Sequence, residues 1–196
     1  MARPRSIPEE ESLERALKLF WDRGFDRTSI ADLGKALGVG PSSIYNAFGS
    51  KEALYQRVLD HYMETHAGFV SAILDGAKDS SVEVCVRELL RAVTKLYSSE
   101  DTPLGCALLQ SGGAGRPDNS EACKFTCGVK ANLEDSIRGL FETRLAAGDS
   151  LSASPHILAK FIATTMRGLS QLACDGTSQS DLLEVADHAA KSCVKP

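Results

Sequence analysis

The chain has 196 residues, of which 43% are hydrophobic and 24% are charged, and its formal net charge is −4. This composition is ordinary for a folded globular protein, and it excludes a chain that is basic all over, although a local basic patch is enough to bind nucleic acid. No apolar run is long enough to cross a bilayer and no signal segment opens the chain, so we expect a cytoplasmic protein without a membrane partner.

Helical periodicity begins near residue 6, where apolar side chains recur at the three-and-four spacing of one helix face. The first predicted helix ends at Gly24. Thr28 or Ser29 begins a second, short helix, because both residues are good helix caps. A glycine-containing turn at residues 38–40 then leads to Pro41, which opens a third short helix at a position where its missing N–H costs nothing.

The same periodicity continues to the C-terminus, and no stretch alternates as a strand would. A long fourth helix is predicted from residue 50 to residue 75. A loop-rich stretch around residues 99–119, with Gly, Pro, Ser and Asp, holds one short helix. We predict an all-α fold of about nine helices, the later ones at residues 81–98, 105–110, 120–147, 155–175 and 180–192.

Two short helices joined by a glycine-containing turn indicate a helix-turn-helix, in which the second helix lies in the major groove of DNA. That second helix is rich in hydroxyl and amide side chains, which suit base edges and phosphates. A helix N-terminus suits a phosphate, and a short basic arm suits a phosphate or the minor groove. The predicted DNA-binding residues are Arg3, Arg5, Thr28, Ser29, Pro41, Ser42, Ser43, Tyr45, Asn46 and Lys51.

The N-terminal stretch ALKLFWDRGFDRTSIADLGKALGVGPSSIYNAFGSKEALYQRVL resembles the DNA-binding domain of the TetR/AcrR family of bacterial repressors. Two later segments, TPLGCALLQSG and LAKFIATTMRGLSQLACDGTSQSDLLEVADHAAK, resemble C-terminal segments of one subgroup. The resemblance implies a three-helix DNA-binding domain at residues 1–50, joined by the fourth helix to an effector-binding and dimerisation domain at residues 51–196. Gly40 and Ala47 depart from the family pattern, which often has Ser or Thr and His or Tyr there.

The resemblance also implies a homodimer that binds a palindromic double-stranded DNA operator and is released by a small-molecule effector, which the sequence does not identify. Apolar residues occupy more than one face of the last two helices. One face can pack on the same chain and another on a partner, which favours a dimer interface there. The predicted interface residues are Phe161, Met166, Leu169, Leu182 and Leu183. The predicted effector-pocket residues are Tyr62, His66, Phe69, Cys106, Cys127, Phe161 and Met166.

A thiol-based redox or electrophile sensor at Cys106 is the alternative mode of release. Pro103 and Gly105 place this cysteine in the first turn of a short helix, where the helix N-terminus lowers the pKa of a thiol. Some members of the subgroup respond to oxidants through a cysteine in a similar context. A packing role is the plainer interpretation, because cysteine is small and often buried.

Two remote alternatives belong to other functional classes: a thiol enzyme and a helical adaptor that does not bind DNA. No nucleophile motif or phosphate-binding loop supports an enzyme. Cys123 and Cys127 lie four residues apart, but no second Cys or His pair completes a zinc site. We therefore expect no enzymatic activity, no metal and no cofactor, and reduced cysteines.

Overall fold

The computed structural model describes residues 8–76, 80–110 and 121–195. Within these ranges the chain forms α-helices and no strand, apart from one isolated bridge between Leu151 and Val194. The all-α prediction is confirmed. The ten helices are α1 (Glu9–Arg23), α2 (Ile30–Leu37), α3 (Pro41–Phe48), α4 (Lys51–Thr65), α5 (Phe69–Gly76), α6 (Val82–Tyr97), α7 (Ala107–Gln110), α8 (Glu121–Ala146), α9 (Pro155–Cys174) and α10 (Gln179–Lys191).

Serine caps explain where four of these helices begin. The hydroxyl oxygens of Ser50, Ser154 and Ser178 accept hydrogen bonds from backbone N–H groups in the first turns of α4, α9 and α10. Ser29 does the same for α2, and the Asp32 carboxylate accepts the Ser29 N–H in return, which completes a capping box. Each cap satisfies a donor that the helix itself leaves without a partner.

The predicted long fourth helix is wrong, because the structure divides it into α4 and α5. The N–H groups of His66 and Ala67 both donate to the Tyr62 carbonyl, at 2.9 and 3.0 Å, which closes the last turn of α4. Gly68, a residue of low helix propensity, follows directly. This break gives ten helices in the described part of the chain, where about nine were predicted for the whole.

One continuous core runs from the N-terminal helices into the C-terminal ones. In the N-terminal part, α1 packs on α2 and α4, and α3 closes against both α2 and α4. Further along, α10 packs chiefly against α6, and α8 against α9. Among the described helices, none is both long enough and apolar enough to cross a membrane.

Candidate DNA-binding site

The turn between α2 and α3 depends on two glycines. Gly38 has a φ of +67°, in the left-handed region that favours glycine. The Val39 N–H donates to the Gly34 carbonyl at 3.0 Å, so the turn folds back closely on α2. A Cβ atom on Gly34 would lie 2.8 Å from the Val39 carbonyl oxygen, closer than real Cβ contacts come. Both glycines therefore fix the angle between the two helices.

Helix α3 has one buried apolar side and one exposed polar side. Ile44 is only 1% exposed and anchors the helix to the core, whereas Tyr45 is 50% exposed. The helix begins at Gly40 without a side-chain cap, so its first N–H groups are open to an outside acceptor. The predicted residues of α3 that the structure places at the surface are Pro41, Ser42, Ser43, Tyr45 and Asn46.

The two residues before α2 differ in what they can offer to DNA. Ser29 is exposed, and its hydroxyl donates to the Asp32 carboxylate at 2.5 Å while it caps the helix. Thr28 is fully buried, and its hydroxyl donates to the Gly24 carbonyl at 2.7 Å. The predicted phosphate contact through the Thr28 side chain is therefore corrected, because this hydroxyl closes the end of α1 instead.

Two lysines belong to the helices that precede and follow α3 in the chain. The Lys51 ammonium lies 4.1 Å from the centre of the Phe25 ring, and burial lowers its pKa while the charges of Asp26 and Glu52 act in the opposite direction. Lys35, in the last turn of α2, is exposed, and the sequence prediction missed it. The sequence could have identified Lys35, because it lies on the side of α2 opposite the apolar residues that mark the buried face.

The predicted basic arm, Arg3 and Arg5, lies outside the described residues. Its role in DNA binding stays a prediction.

The DNA-binding helices are tied to the rest of the chain through α1. The Trp21 ring meets the Tyr62 ring edge to face, with centroids 5.0 Å apart. The Tyr62 hydroxyl oxygen in turn lies 3.3 Å from the Cys106 sulfur, just before α7. A continuous line of side chains therefore leads from α1 through α4 to α7.

Comparison with known proteins decides the family. Residues 13–58 match the model of bacterial regulatory proteins, tetR family. The HTH-type transcriptional repressor ComR of Escherichia coli (strain K12) is 30% identical over 188 residues, which cover 94% of this chain and 88% of ComR. The HTH-type transcriptional repressor BdcR of the same strain is 30% identical, over 97% of this chain and 91% of BdcR. The chain belongs to the TetR family of bacterial regulatory proteins.

A solved structure extends this similarity to the whole fold. A cysteine-substituted form of the TetR family regulator CifR, in complex with 26-base-pair operator DNA, superposes with a TM-score of 0.88. It is 31% identical, and the match covers 97% of this chain and 99% of that chain. The predicted family and the predicted class of DNA-binding transcriptional regulator are confirmed. The curated relatives are regulators, and such proteins are in general not enzymes.

The seven predicted effector-pocket residues do not form one cluster in the structure. The structure brings three of the predicted pocket residues together: the Tyr62 and His66 rings stack at 5.9 Å, and Cys106 touches Tyr62. Met166 of α9 is also buried in the core. The remaining three are dispersed: Phe69 borders a smaller cavity beside α6, whereas Phe161 and Cys127 are exposed.

Cys106 does not have the reactive environment that its position in the sequence predicts. The residue precedes α7 and is only 6% exposed. Burial raises the pKa of its thiol, and this effect outweighs the hydrogen bonds from Tyr62 and from nearby backbone groups, which act to lower it. Because the thiolate is the reactive form, the sensor alternative is not favoured.

The predicted dimer residues fall into two groups. One group is buried in the core of the same chain and cannot contact a partner directly: Met166, Leu169 and Leu182. Phe161 is 40% exposed and Leu183 is half-buried. Sequence periodicity could not separate the inner and outer faces of α9 and α10, because both carry apolar residues. The exposed apolar residues of these two helices are Ile157, Phe161, Leu172 and Val185.

The sequence did not predict a second, larger cavity that the structure contains. It has a volume of about 860 Å³ and lies between the segment that joins α1 to α2 and helices α7, α8 and α9. None of the predicted pocket residues lines it. In the parts of the chain that the structure describes, no group of His, Cys, Asp or Glu side chains is arranged to hold a metal ion.

Proposed function

We propose that the protein is a transcriptional repressor that binds a palindromic operator as a homodimer and leaves it when a small molecule binds. The proposal rests mainly on one observation: the polar face of α3 is exposed, while Ile44 on its other face is buried in the core. Similarity over nearly the whole chain to two transcriptional repressors supports repression rather than activation. We divide the chain into a DNA-binding domain at residues 1–50 and an effector-binding and dimerisation domain at residues 51–196.

The dimer that we propose uses the outer faces of α9 and α10. TetR family regulators act as dimers. On α9, Ile157, Phe161 and Leu172 recur at spacings of four and eleven residues, which places them along one side of the helix. Val185 is the exposed apolar residue at the middle of α10. A two-fold axis between these faces would present two copies of α3 to half-sites about 34–36 Å apart, or a multiple of that distance.

The test is binding to the DNA upstream of the protein's own gene. A gel shift compares that fragment with a fragment of equal length and shuffled sequence, at several salt concentrations. We expect the upstream fragment to be bound about 10³-fold or more tightly than the shuffled one, since specific sites exceed non-specific ones by at least this ratio. Equal affinity for the two fragments at every salt concentration would contradict the proposed function at this site.

A second measurement addresses the sign of regulation. A reporter gene placed behind the upstream fragment is expected to be expressed more strongly in cells that lack the protein than in cells that contain it. The matched control is a variant with Tyr45→Ala and Asn46→Ala, which should behave as the absent protein does. Lower expression without the protein would identify an activator instead.

A further inference from the structure

The cavity between the DNA-binding helices and the C-terminal helices has the size of a small-molecule site. Its volume of about 860 Å³ lies within the range of about 300–1,000 Å³ that such sites have. One wall is the end of α1 and the segment that follows it, residues 21–27. The opposite wall comes from α7, α8 and α9. A molecule in this space would contact both parts of the protein at once.

The C-terminal wall of this cavity carries two cations close together. Lys130 of α8 and Arg167 of α9 both line it. No carboxylate of residues 8–76, 80–110 and 121–195 lies within 4.0 Å of either charge. Burial lowers the pKa of Lys130, and the positive charge of Arg167 acts in the same direction, while nearby thiols oppose it. Two neighbouring positive charges without a carboxylate in contact favour a bound anion.

The opposite wall carries two acidic and two basic side chains, Asp22, Arg23, Asp26 and Arg27, beside aromatic surface. Trp21 is 1% exposed, and its indole N–H, which can only donate, has no acceptor among the described residues. Buried donors of this kind are rare in folded proteins, because each one costs free energy. Phe25 from the same segment and Leu109 of α7 supply apolar contacts.

We propose that this cavity binds a small organic anion, with its carboxylate or sulfonate at Lys130 and Arg167 and its apolar body against Trp21 and Leu109. The proposal rests on the proposed function, to which it adds the charge of the effector and the place where it acts. The wall formed by residues 21–27 leads directly to Ser29, the cap of α2. An anion held there therefore sets the position of the helix-turn-helix relative to α8 and α9.

The experiment uses Trp21, the single tryptophan of the chain. Anilinonaphthalene sulfonate, an aromatic anion, is titrated into the full-length protein while the tryptophan emission is recorded. Phenylnaphthylamine, a comparable aromatic molecule without the sulfonate, is the neutral comparison. We expect the anion to quench Trp21 and to bind more tightly than the neutral molecule.

Charge variants then locate the anion. Lys130→Gln and Arg167→Gln should each weaken quenching by the anion about tenfold, as expected for the loss of one hydrogen bond to a charged group, and leave the neutral probe unchanged. Lys130→Arg keeps the charge and should retain most of the binding. Lys95→Gln removes an exposed charge from α6, a helix that contributes no residue to the cavity lining, and is the matched control.

The proposal is overturned if the anion does not quench Trp21, or if Lys130→Gln and Arg167→Gln bind it as tightly as Lys95→Gln does. Operator binding of the wild type is measured in parallel without any probe. Loss of operator recognition alone would remove the proposed function and leave the anion site intact, so the two failures are distinguishable.

Discussion

Glu14 and His66 meet between α1 and the end of α4, with the carboxylate oxygen Oε2 of Glu14 lying 3.1 Å from Nε2 of His66. The same oxygen lies 3.2 Å from Nε2 of His61, one turn earlier. One carboxylate on α1 therefore holds both the last turn of α4 and the residue at which the chain breaks towards α5. This contact joins the DNA-binding helices to the point where the predicted long helix is interrupted.

The Glu14 contact predicts a loss of stability in acid. Burial acts to raise the pKa of Glu14, but hydrogen bonds from His66 and His61, together with the charges of His66 and Lys18, lower it from the ordinary value of 4.5. A carboxyl group with a lowered folded-state pKa stabilises the protein above its unfolded-state pKa, and this contribution is lost as the pH falls through the folded-state value. Because Glu14 is partly exposed, we expect about 1 kcal/mol or less.

Urea denaturation of wild type and Glu14→Gln measures this contribution. The variant should have the lower free energy of unfolding at neutral pH, and the difference should shrink as the pH falls below about 4. Glu10→Gln, which removes another carboxylate from the same helix, is the control. A difference between wild type and Glu14→Gln that stays constant over this pH range would contradict the prediction.

Substitutions on α3 should separate DNA recognition from folding. Tyr45→Ala and Asn46→Ala each remove an exposed side chain, so we expect little change in thermal unfolding. If each side chain contacts a base edge, specific affinity should fall by about 1–3 kcal/mol per half-site. The measurement is a gel shift with the operator and a shuffled fragment. An Asn132→Ala variant on the exposed side of α8 should bind as the wild type does.

Lys35 and Lys51 are predicted to bind phosphates rather than bases. Lys35→Ala and Lys51→Ala should weaken binding to operator and shuffled DNA by the same factor. The slope of log affinity against log salt should become shallower by about one for each phosphate that a protomer ceases to neutralise. Lys95→Ala is the control. A selective fall in operator affinity with an unchanged salt slope would show that the lysine binds a base instead.

The turn between α2 and α3 should not tolerate a side chain at Gly34. In Gly34→Ala the new Cβ would lie 2.8 Å from the Val39 carbonyl oxygen, and this backbone atom cannot rotate away. We expect a destabilisation of about 1–3 kcal/mol, typical of overpacking, together with loss of operator binding. Gly128→Ala is the matched control, because beyond its chain neighbours and its own helix backbone no described atom lies within 4 Å of the new Cβ, and it should gain about 0.5–1 kcal/mol. Equal stability of the two variants would contradict the prediction.

Local sequence signals predicted the helix-turn-helix well, because caps, a glycine turn and a buried position such as Ile44 are encoded by neighbouring residues. They failed where distant residues decide. The buried hydroxyl of Thr28 depends on how α1 ends, and the break after α4 is accompanied by a contact between His66 and Glu14. The large cavity forms because the end of α1, with Trp21, lies opposite Arg167 of α9, and helical periodicity within one segment cannot predict such an arrangement of distant segments.

The outer faces of α9 and α10 yield the last prediction, and the chain offers an unusually close control. Val185 on α10 is 46% exposed and Val84 on α6 is 45% exposed, so the two side chains are alike in type and accessibility. An aspartate at either site should be tolerated by the folded monomer.

If Val185 lies in a two-fold interface, Val185→Asp buries two unpaired charges per dimer, at about 3–5 kcal/mol each. Sedimentation equilibrium should then show monomers for Val185→Asp at concentrations where the wild type and Val84→Asp are dimers. Operator affinity should fall with the dimer, because a monomer contacts one half-site only. A Val185→Asp protein that remains dimeric and binds its operator would place the interface on another face.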